Sequence, residues 1–124
     1  MLENPIMIFG TGGLGRAALE IFESNKNVVY GFLDDDKNTH NTEIDNVQVL
    51  GKTSDESFLK IIGKKCDAFV ASDDNALRKS LTNMLVKKRK VMPINAVHNS
   101  VIIASSAQIG HGNFFNGGVV IGAG

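Results

Sequence analysis

Short apolar runs alternate with stretches of helical period along most of this chain. The apolar runs, each of strand length, are Ile6–Phe9, Val28–Leu33, Val47–Leu50, Ala68–Ala71 and Val91–Val97. Such alternation predicts an α/β domain in which right-handed crossovers join parallel strands covered on both faces. The simplest arrangement is a small Rossmann-like, doubly wound sheet with strand order 3-2-1-4-5. Pro93 predicts that the last run is an edge strand, because proline cannot donate to a ladder.

Three helices are predicted between these runs. The first follows Phe9, where Leu14, Ala18 and Phe22 recur at four-residue spacing. The second begins at the capping box formed by Thr53 and Glu56 and is expected to stop near Gly63.

The third helix is predicted after the fourth apolar run. Ser72 or Asp73 is its expected N-cap. Its apolar stripe consists of Leu77, Leu81, Met84 and Leu85. The polar stretch Lys37–Asn46 lacks any period and is expected to be a mobile loop.

The pattern changes from about Ser100 onwards, where glycine becomes frequent and a six-residue period begins. Aliphatic or aromatic residues stand six apart at Ile103, Ile109, Phe115 and Ile121. This spacing favours the first coil of a left-handed parallel β-helix, whose three faces have about six residues each. A disordered glycine-rich tail is the alternative interpretation. The predicted domains are therefore 1–99, the Rossmann-like part, and 100–124, the start of a β-helix.

A G-x-G-x-x-G sequence lies between the first strand and the first helix. Gly10 would permit the tight turn, Gly12 would let a phosphate approach the backbone, and Gly15 would let the helix lie against the strand. The N–H groups at the helix N-terminus could then bind the anion. The rival interpretation is a tight βα turn without a ligand.

Polar residues follow two strands that are expected to end at the same sheet edge. Asp34 comes nineteen residues after Gly15, where an acidic residue can bind a ribose. A solvated turn formed with Asp35 and Asp36 is the alternative. Three successive acids disfavour the 2′-phosphate of NADP. Ser72 and Asn75 could face the same ligand, although helix capping also explains a serine there.

Composition excludes several functional classes. Thirteen basic and thirteen acidic residues cancel, so neither nucleic acid nor a membrane surface is an expected partner. The basic run 87–90 is expected at a helix C-terminus. The lone Cys66, a predicted core residue, fits a reducing compartment, and the absence of a signal peptide or long apolar run predicts a cytoplasmic protein.

The three histidines carry no recognisable catalytic or metal-binding spacing. His40 is expected to be a solvated loop residue, and neither His98 nor His111 has a partner at His-x-x-x-His spacing. No metal is expected, and no catalytic residue can be assigned.

Taken in order, these motifs resemble bacterial nucleotide-sugar acyltransferases of the sialic acid O-acetyltransferase and bacillosamine N-acetyltransferase type. The matching stretches are Ile8–Gly15, Gly31–Asp36, Val49–Gly51, Ala71–Arg78, Ile94–Ser100 and the hexapeptides. The resemblance implies that the Rossmann-like domain holds the UDP part of a UDP-sugar for surface glycan biosynthesis. It also implies a homotrimer in which the β-helix binds acetyl-CoA and supplies a histidine general base.

The resemblance implies a set of ligand contacts. Gly10, Gly12 and Gly13 would contact the phosphates of the nucleotide. Residues near the ribose and uracil would be Asp34, Asp35 and Lys37, with Ser72 and Asn75 opposite.

The resemblance has one large departure. The catalytic histidine and the acetyl-CoA groove of the family lie beyond residue 124, so we expect this chain to bind a nucleotide sugar without transferring acetyl by itself. Two other functions remain open: an NAD-binding domain of an oxidoreductase, and a non-catalytic remnant that assembles with partners through its exposed coil.

Overall fold

The computed structural model describes the sheet domain almost completely and the C-terminal segment in part. The described residues are 4–72, 74–98, 102–103, 112–115 and 120–121. Three α-helices occur among them: α1 (Gly13–Ser24), α2 (Glu56–Leu59) and α3 (Asn75–Lys88). The strands of the sheet are β1 (Ile6–Phe9), β2 (Val29–Leu33), β3 (Glu43–Ile44), β4 (Val47–Gly51) and β5 (Asp67–Val70). Four two-residue strands follow: β6 (Ala96–Val97), β7 (Ile102–Ile103), β8 (Phe114–Phe115) and β9 (Val120–Ile121).

The main sheet has the order β3-β4-β2-β1-β5. Its four longer strands are parallel, and their order confirms the predicted sequence 3-2-1-4 for the first four apolar runs. The fold is thus the expected Rossmann-like α/β sheet. Its fifth strand differs from the prediction.

The fifth strand of the sheet is β3, which pairs antiparallel with β4 at the opposite edge from the predicted one. Asp45 and Asn46 join the two strands with φ values of 48° and 70°, as a type I′ hairpin turn requires. The segment 37–46, predicted to be a loop, therefore holds a 3₁₀ turn (Lys37–Thr39) and this hairpin. Ile44, only 8% exposed, anchors the hairpin in the core.

The prediction that Val91–Val97 forms a strand of the main sheet was wrong. Within this segment only one backbone bond to the main sheet is found, from the N–H of Ile94 to the carbonyl of Ala68 (2.9 Å). Pro93 has no N–H to extend a ladder, and the chain instead pairs Ala96 and Val97 with β8. The segment 91–97 therefore makes one backbone contact with the main sheet and then forms the separate two-residue strand β6.

The first helix is as predicted, with Ala18 and Phe22 buried. The second is one turn long and is capped by Asp55, whose side chain accepts from the N–H of Ser57. Thr53 does not cap this helix, because its hydroxyl donates to Asp35 instead. The predicted capping box was wrong for that reason.

The third helix begins later than predicted. Its N-cap is Asp74, which accepts from the N–H groups of Ala76 and Leu77, and not Ser72; Asp73 lies outside the described residues. Leu81 and Leu85 are buried as expected, but Leu77 remains 40% exposed. Lys87 and Lys88 lie in the last turn, which confirms the predicted position of the basic run.

Two apolar layers cover the sheet. Ile6 and Ile8 point toward α1, where Phe22 and Phe69 pack edge to face with ring centroids 5.7 Å apart. The alternate residues of β1 face α2 and α3 on the other side, in a cluster that includes the fully buried Cys66. Burial raises the pKa of the Cys66 thiol to about 11, so this cysteine is a core residue as predicted.

The C-terminal strands pair in parallel at a constant separation. Ala96 pairs with Phe114, and Ile102 pairs with Val120, each eighteen positions later along the chain. A coil with three faces of six residues would have this separation, so the pairing supports the predicted parallel β-helix. Ile109, one of the four periodic positions, lies outside the described residues.

Candidate functional site

Four segments converge at the carboxyl ends of the parallel strands. They are the loops after β1, β2 and β4 and the chain that follows β5. They surround a pocket of about 230 Å³, called here the glycine-loop pocket. The described residues that line it are Phe9, Gly10, Thr11, Gly12, Asp34, Asp35, Thr53, Ala71, Ser72, Leu77 and Leu81. Parallel α/β sheets bind ligands in this position, outside the carboxyl ends of the strands.

Two of the loop glycines are required by the protein's own backbone. Gly10 has a φ of +111°, and a Cβ there would lie 2.4 Å from the carbonyl oxygen of Ala71. A Cβ at Gly15 would lie 2.0 Å from the carbonyl oxygen of Gly10. The predicted roles of both residues, in the turn and in helix packing, are confirmed.

Gly12 and Gly13 have no such requirement. A Cβ at either position would meet no atom within 4 Å. Gly12 is the N-cap of α1, no side chain caps the helix, and its first turn holds no acidic residue. The first N–H groups of α1 are therefore open to an anion, as the helix dipole favours.

Asp34 is bound to the glycine loop. Its Oδ2 accepts from the N–H (2.9 Å) and the hydroxyl (2.7 Å) of Thr11, and its Oδ1 accepts from the N–H of Asp36 (2.9 Å). Partial burial alone would raise the pKa of Asp34. The bonds from Asp36 and Thr11, with the nearby His40, outweigh that effect and hold the pKa below its usual value. The charged side chain of Asp34 therefore stabilises the conformation of the glycine loop.

Asp35 braces the loop after β4. Its carboxylate accepts from the N–H (3.0 Å) and the hydroxyl (2.9 Å) of Thr53. Thr53 is buried although it is polar, and these bonds satisfy it. Asp34 and Asp35 together connect the loops after β1, β2 and β4, so they are more than the solvated turn that was the alternative prediction.

The structure brings five of the eight predicted site residues to the pocket: Gly10, Gly12, Asp34, Asp35 and Ser72. Gly13 lies next to it at the start of α1. Lys37 is exposed at the start of the 3₁₀ turn and does not line the pocket. Asn75 lines a different cavity on another face of α3.

The sequence did not predict six of the eleven residues that line the pocket, among them Thr11, Thr53 and Leu77. Thr11 and Thr53 are the partners of the two carboxylates, and no spacing rule relates positions 23 and 18 residues apart. Leu77 is an exposed apolar side chain that lines the same pocket as the two carboxylates. Its place in the helical stripe had predicted a core residue.

The histidine prediction also needs correction. His40 is half-buried, and its Nε2 lies 2.6 Å from the carbonyl oxygen of Asp34. It supports the acidic segment rather than extending into solvent. His111 lies outside the described residues.

The described part of the chain gives two further findings. None of its helices is long and apolar enough to cross a membrane. Within the same residues, no group of three or more histidine, cysteine or acidic side chains could hold a metal ion.

The chain combines a Rossmann-like parallel sheet, a glycine loop without a side-chain cap and C-terminal strands paired eighteen residues apart. Sheets of this class bind ligands outside the carboxyl ends of their strands. The profile of the PglD N-terminal domain family matches residues 5–85, which is more than half of the chain. The chain therefore belongs to the PglD N-terminal domain family. No curated protein matches its sequence.

Solved structures agree with this family. Perosamine N-acetyltransferase from Caulobacter crescentus, a histidine-to-asparagine mutant in complex with CoA and GDP-perosamine, matches with a TM-score of 0.79 at 25% identity. That match covers 96% of this chain and 54% of the other. PerB from the same organism, also in complex with CoA and GDP-perosamine, matches with a TM-score of 0.78, the same identity and the same coverage.

The acetyltransferase domain of PglB from Neisseria gonorrhoeae, in complex with acetyl coenzyme A, has a TM-score of 0.77 at 20% identity. It shares the fold, with 95% of this chain and 55% of that chain covered. This chain thus spans about half the length of its solved relatives.

Proposed function

We propose that this chain is the nucleotide-sugar-binding part of a sugar O- or N-acetyltransferase. The observation that carries the proposal is the open N-terminus of α1, where Gly12 and Gly13 leave space that no protein atom fills. Its place beside a pocket with one acidic and one apolar wall, in a member of this family, supports it.

Charge suggests how the ligand lies. The phosphates would bind the N–H groups at Gly12 and Gly13, where the helix dipole favours negative charge. Asp34 and Asp35 would repel a phosphate and accept hydrogen bonds from neutral hydroxyl or N–H groups. A carboxylate has about four acceptor positions. Three protein donors reach Asp34, so one position is left for a ribose hydroxyl.

The identity of the base stays a prediction. The resemblance implies UDP, whereas the Caulobacter neighbours were solved with GDP-perosamine. The further assignments remain part of the proposal: a boundary near residue 99, left-handedness of the coil, a homotrimer, and acetyl-CoA as the donor for the complete enzyme. The predicted contact from Lys37 needs a movement of that side chain toward the ligand.

Calorimetric titration of the 124-residue chain with UDP-glucose, GDP-mannose and NAD tests the proposal. We expect one of the two nucleotide sugars to bind and NAD to bind at least about tenfold more weakly. Gly12→Ala should weaken nucleotide-sugar binding by about tenfold or more, since a methyl group there blocks the phosphate.

Gly12→Ala is a clean variant because its φ of −72° suits alanine and its Cβ would meet no atom. Its thermal midpoint should therefore match that of the parent chain. Tight binding of NAD without nucleotide-sugar binding would instead favour the oxidoreductase alternative. If none of the three ligands binds, the proposal is contradicted, and the remaining alternative is a non-catalytic remnant that assembles with partners.

A further inference from the structure

A second cavity lies outside the glycine-loop pocket, and of the predicted nucleotide-sugar contacts it contains Asn75. It has a volume of about 640 Å³ and lies on a different face of α3 from the glycine-loop pocket. Leu77 and Leu81 face that pocket, whereas Arg78 and Thr82, one position further along, face this cavity. We call it the edge cavity, because it lies beside the edge strand β5.

The edge cavity exists because the sheet stops at β5. Val70 pairs with Phe9 of β1 on one side, and no strand of the described chain pairs with it on the other. After the single bond from Ile94, the chain turns away to pair with β8. The space that a further strand would fill is therefore enclosed by α3, by residues 92–93 and by residues 112–114.

The rim of the edge cavity is cationic. Arg78 and Lys79 both line it and are exposed, and none of the described lining residues carries a carboxylate. The guanidinium of Arg78 donates to the side-chain oxygen of Asn75 and to the carbonyl of Ser72 (3.5 Å). Both acceptors are uncharged, so they orient the guanidinium without neutralising it.

The floor of the edge cavity is apolar. Phe69, Met92, Pro93 and Phe114 contribute to it, and Met92 is 50% exposed although it is a large apolar side chain. Amide groups of Asn83 and Asn113 complete the wall. An apolar floor with a few convergent polar groups is the usual composition of a small-molecule site.

We propose that the edge cavity is a second binding site, for a small molecule with an aromatic or apolar body and a phosphate or carboxylate group. The ring would lie on the floor formed by Met92 and Phe114, and the anionic group would bind Arg78 and Lys79. Arginine suits this role because its planar fork binds both phosphate and carboxylate through two N–H groups. The two cavities share none of their lining residues, so binding at one can be measured separately from binding at the other.

The test is a ¹⁵N NMR titration of the 124-residue chain with phenyl phosphate, benzoate and inorganic phosphate. We expect amide signals of Lys79, Asn83 and Asn113 to move with phenyl phosphate or benzoate, and much less with inorganic phosphate, which lacks the ring. The stronger of the two aromatic probes identifies the anionic group. Gly12→Ala should leave these shifts unchanged, which separates this site from the glycine-loop pocket.

The double variant Arg78→Gln/Lys79→Gln should raise the Kd of the aromatic probe by about tenfold or more. Lys87→Gln/Lys88→Gln is the matched control, since it removes the same charge from the last turn of the same helix, and it should change the Kd less than about twofold. Asn83→Asp should also weaken binding, because it adds a carboxylate to the rim. Equal weakening by the two double variants, shifts confined to Gly10–Gly12, or no shifts at all would overturn the proposal.

Discussion

Asp34 and Asp35, the acidic residues after β2, form hydrogen bonds within the protein that stabilise its loops. Asp34 and Asp35 accept hydrogen bonds from two threonines on different loops, and the bonds fix the positions of those loops. A neutral side chain at either position would keep the shape and lose the charge-assisted bonds. In the proposed function, ligand binding would therefore depend on residues that also hold the loops of the pocket in place.

At this scale we expect Asp34→Asn to lower the free energy of unfolding at pH 7 by about 1 kcal/mol, because a charged acceptor of three bonds is lost from a partly exposed site. The folded-state pKa of Asp34 is depressed, so its contribution is present above the unfolded-state pKa of about 3.9 and is lost as pH falls through the folded value. Urea unfolding of both proteins from pH 7 to pH 3 measures this.

The difference between parent and Asp34→Asn should therefore shrink below about pH 4. Asp45→Asn is the matched control, because Asp45 is exposed in a turn with positive φ that asparagine tolerates. An equal loss of stability in the control, or a difference independent of pH, would contradict the bracing role of Asp34.

At the scale of elements, the start of α3 decides the shape of both cavities. Because Asp74 and not Ser72 is the N-cap, Ser72 lies before the first turn of the helix and lines the glycine-loop pocket. The same start directs Leu77 to this pocket and Arg78 to the edge cavity.

We expect Asp74→Ala to lower the free energy of unfolding by about 1 kcal/mol, the usual loss for an N-cap that bonds two N–H groups. Thermal unfolding followed by circular dichroism is the measurement. Ser72→Ala, at the position first predicted as the cap, should cost less than half as much. A larger effect of Ser72→Ala than of Asp74→Ala would show that the helix is capped as the sequence first indicated.

At the scale of the whole molecule, the β-helix start is packed against the sheet domain. Phe114 contacts the apolar layer between the sheet and α1, and Ala96 is fully buried in it. The side-chain amide of Asn25, next to the last residue of α1, donates to the carbonyl of Val97 (2.6 Å). These contacts predict one cooperative unit at the junction.

We expect Phe114→Ala to lower the free energy of unfolding of the sheet domain by about 2 kcal/mol, roughly half the loss for a fully buried phenylalanine, since Phe114 is half-buried. Urea unfolding and hydrogen exchange of the β1 amides should report the same loss. Met92→Ala, which removes an exposed side chain, is the control and should have a small effect. Faster exchange confined to β6 and β8 would show that the coil unfolds independently.

The amino-acid sequence was sufficient to predict four parallel strands and their order, the three helices and the glycine loop. These features follow from local sequence patterns, such as the apolar run Ile6–Phe9 and the helical period of α1. The patterns arise because each strand or helix buries one or both of its faces. Gly10 and Gly15 were also found this way, because a tight βα turn has a fixed glycine spacing.

Contacts between side chains that are distant in the sequence are apparent only from the folded structure. The bonds of Asp34 and Asp35 to Thr11 and Thr53 join separate loops, and the failure of Val91–Val97 to form a full strand depends on competition with β8. Leu77 belongs to an apolar helical stripe that predicts burial, yet it is exposed because it lines the glycine-loop pocket. Such outcomes depend on contacts between distant positions, and no local period encodes a distance through space.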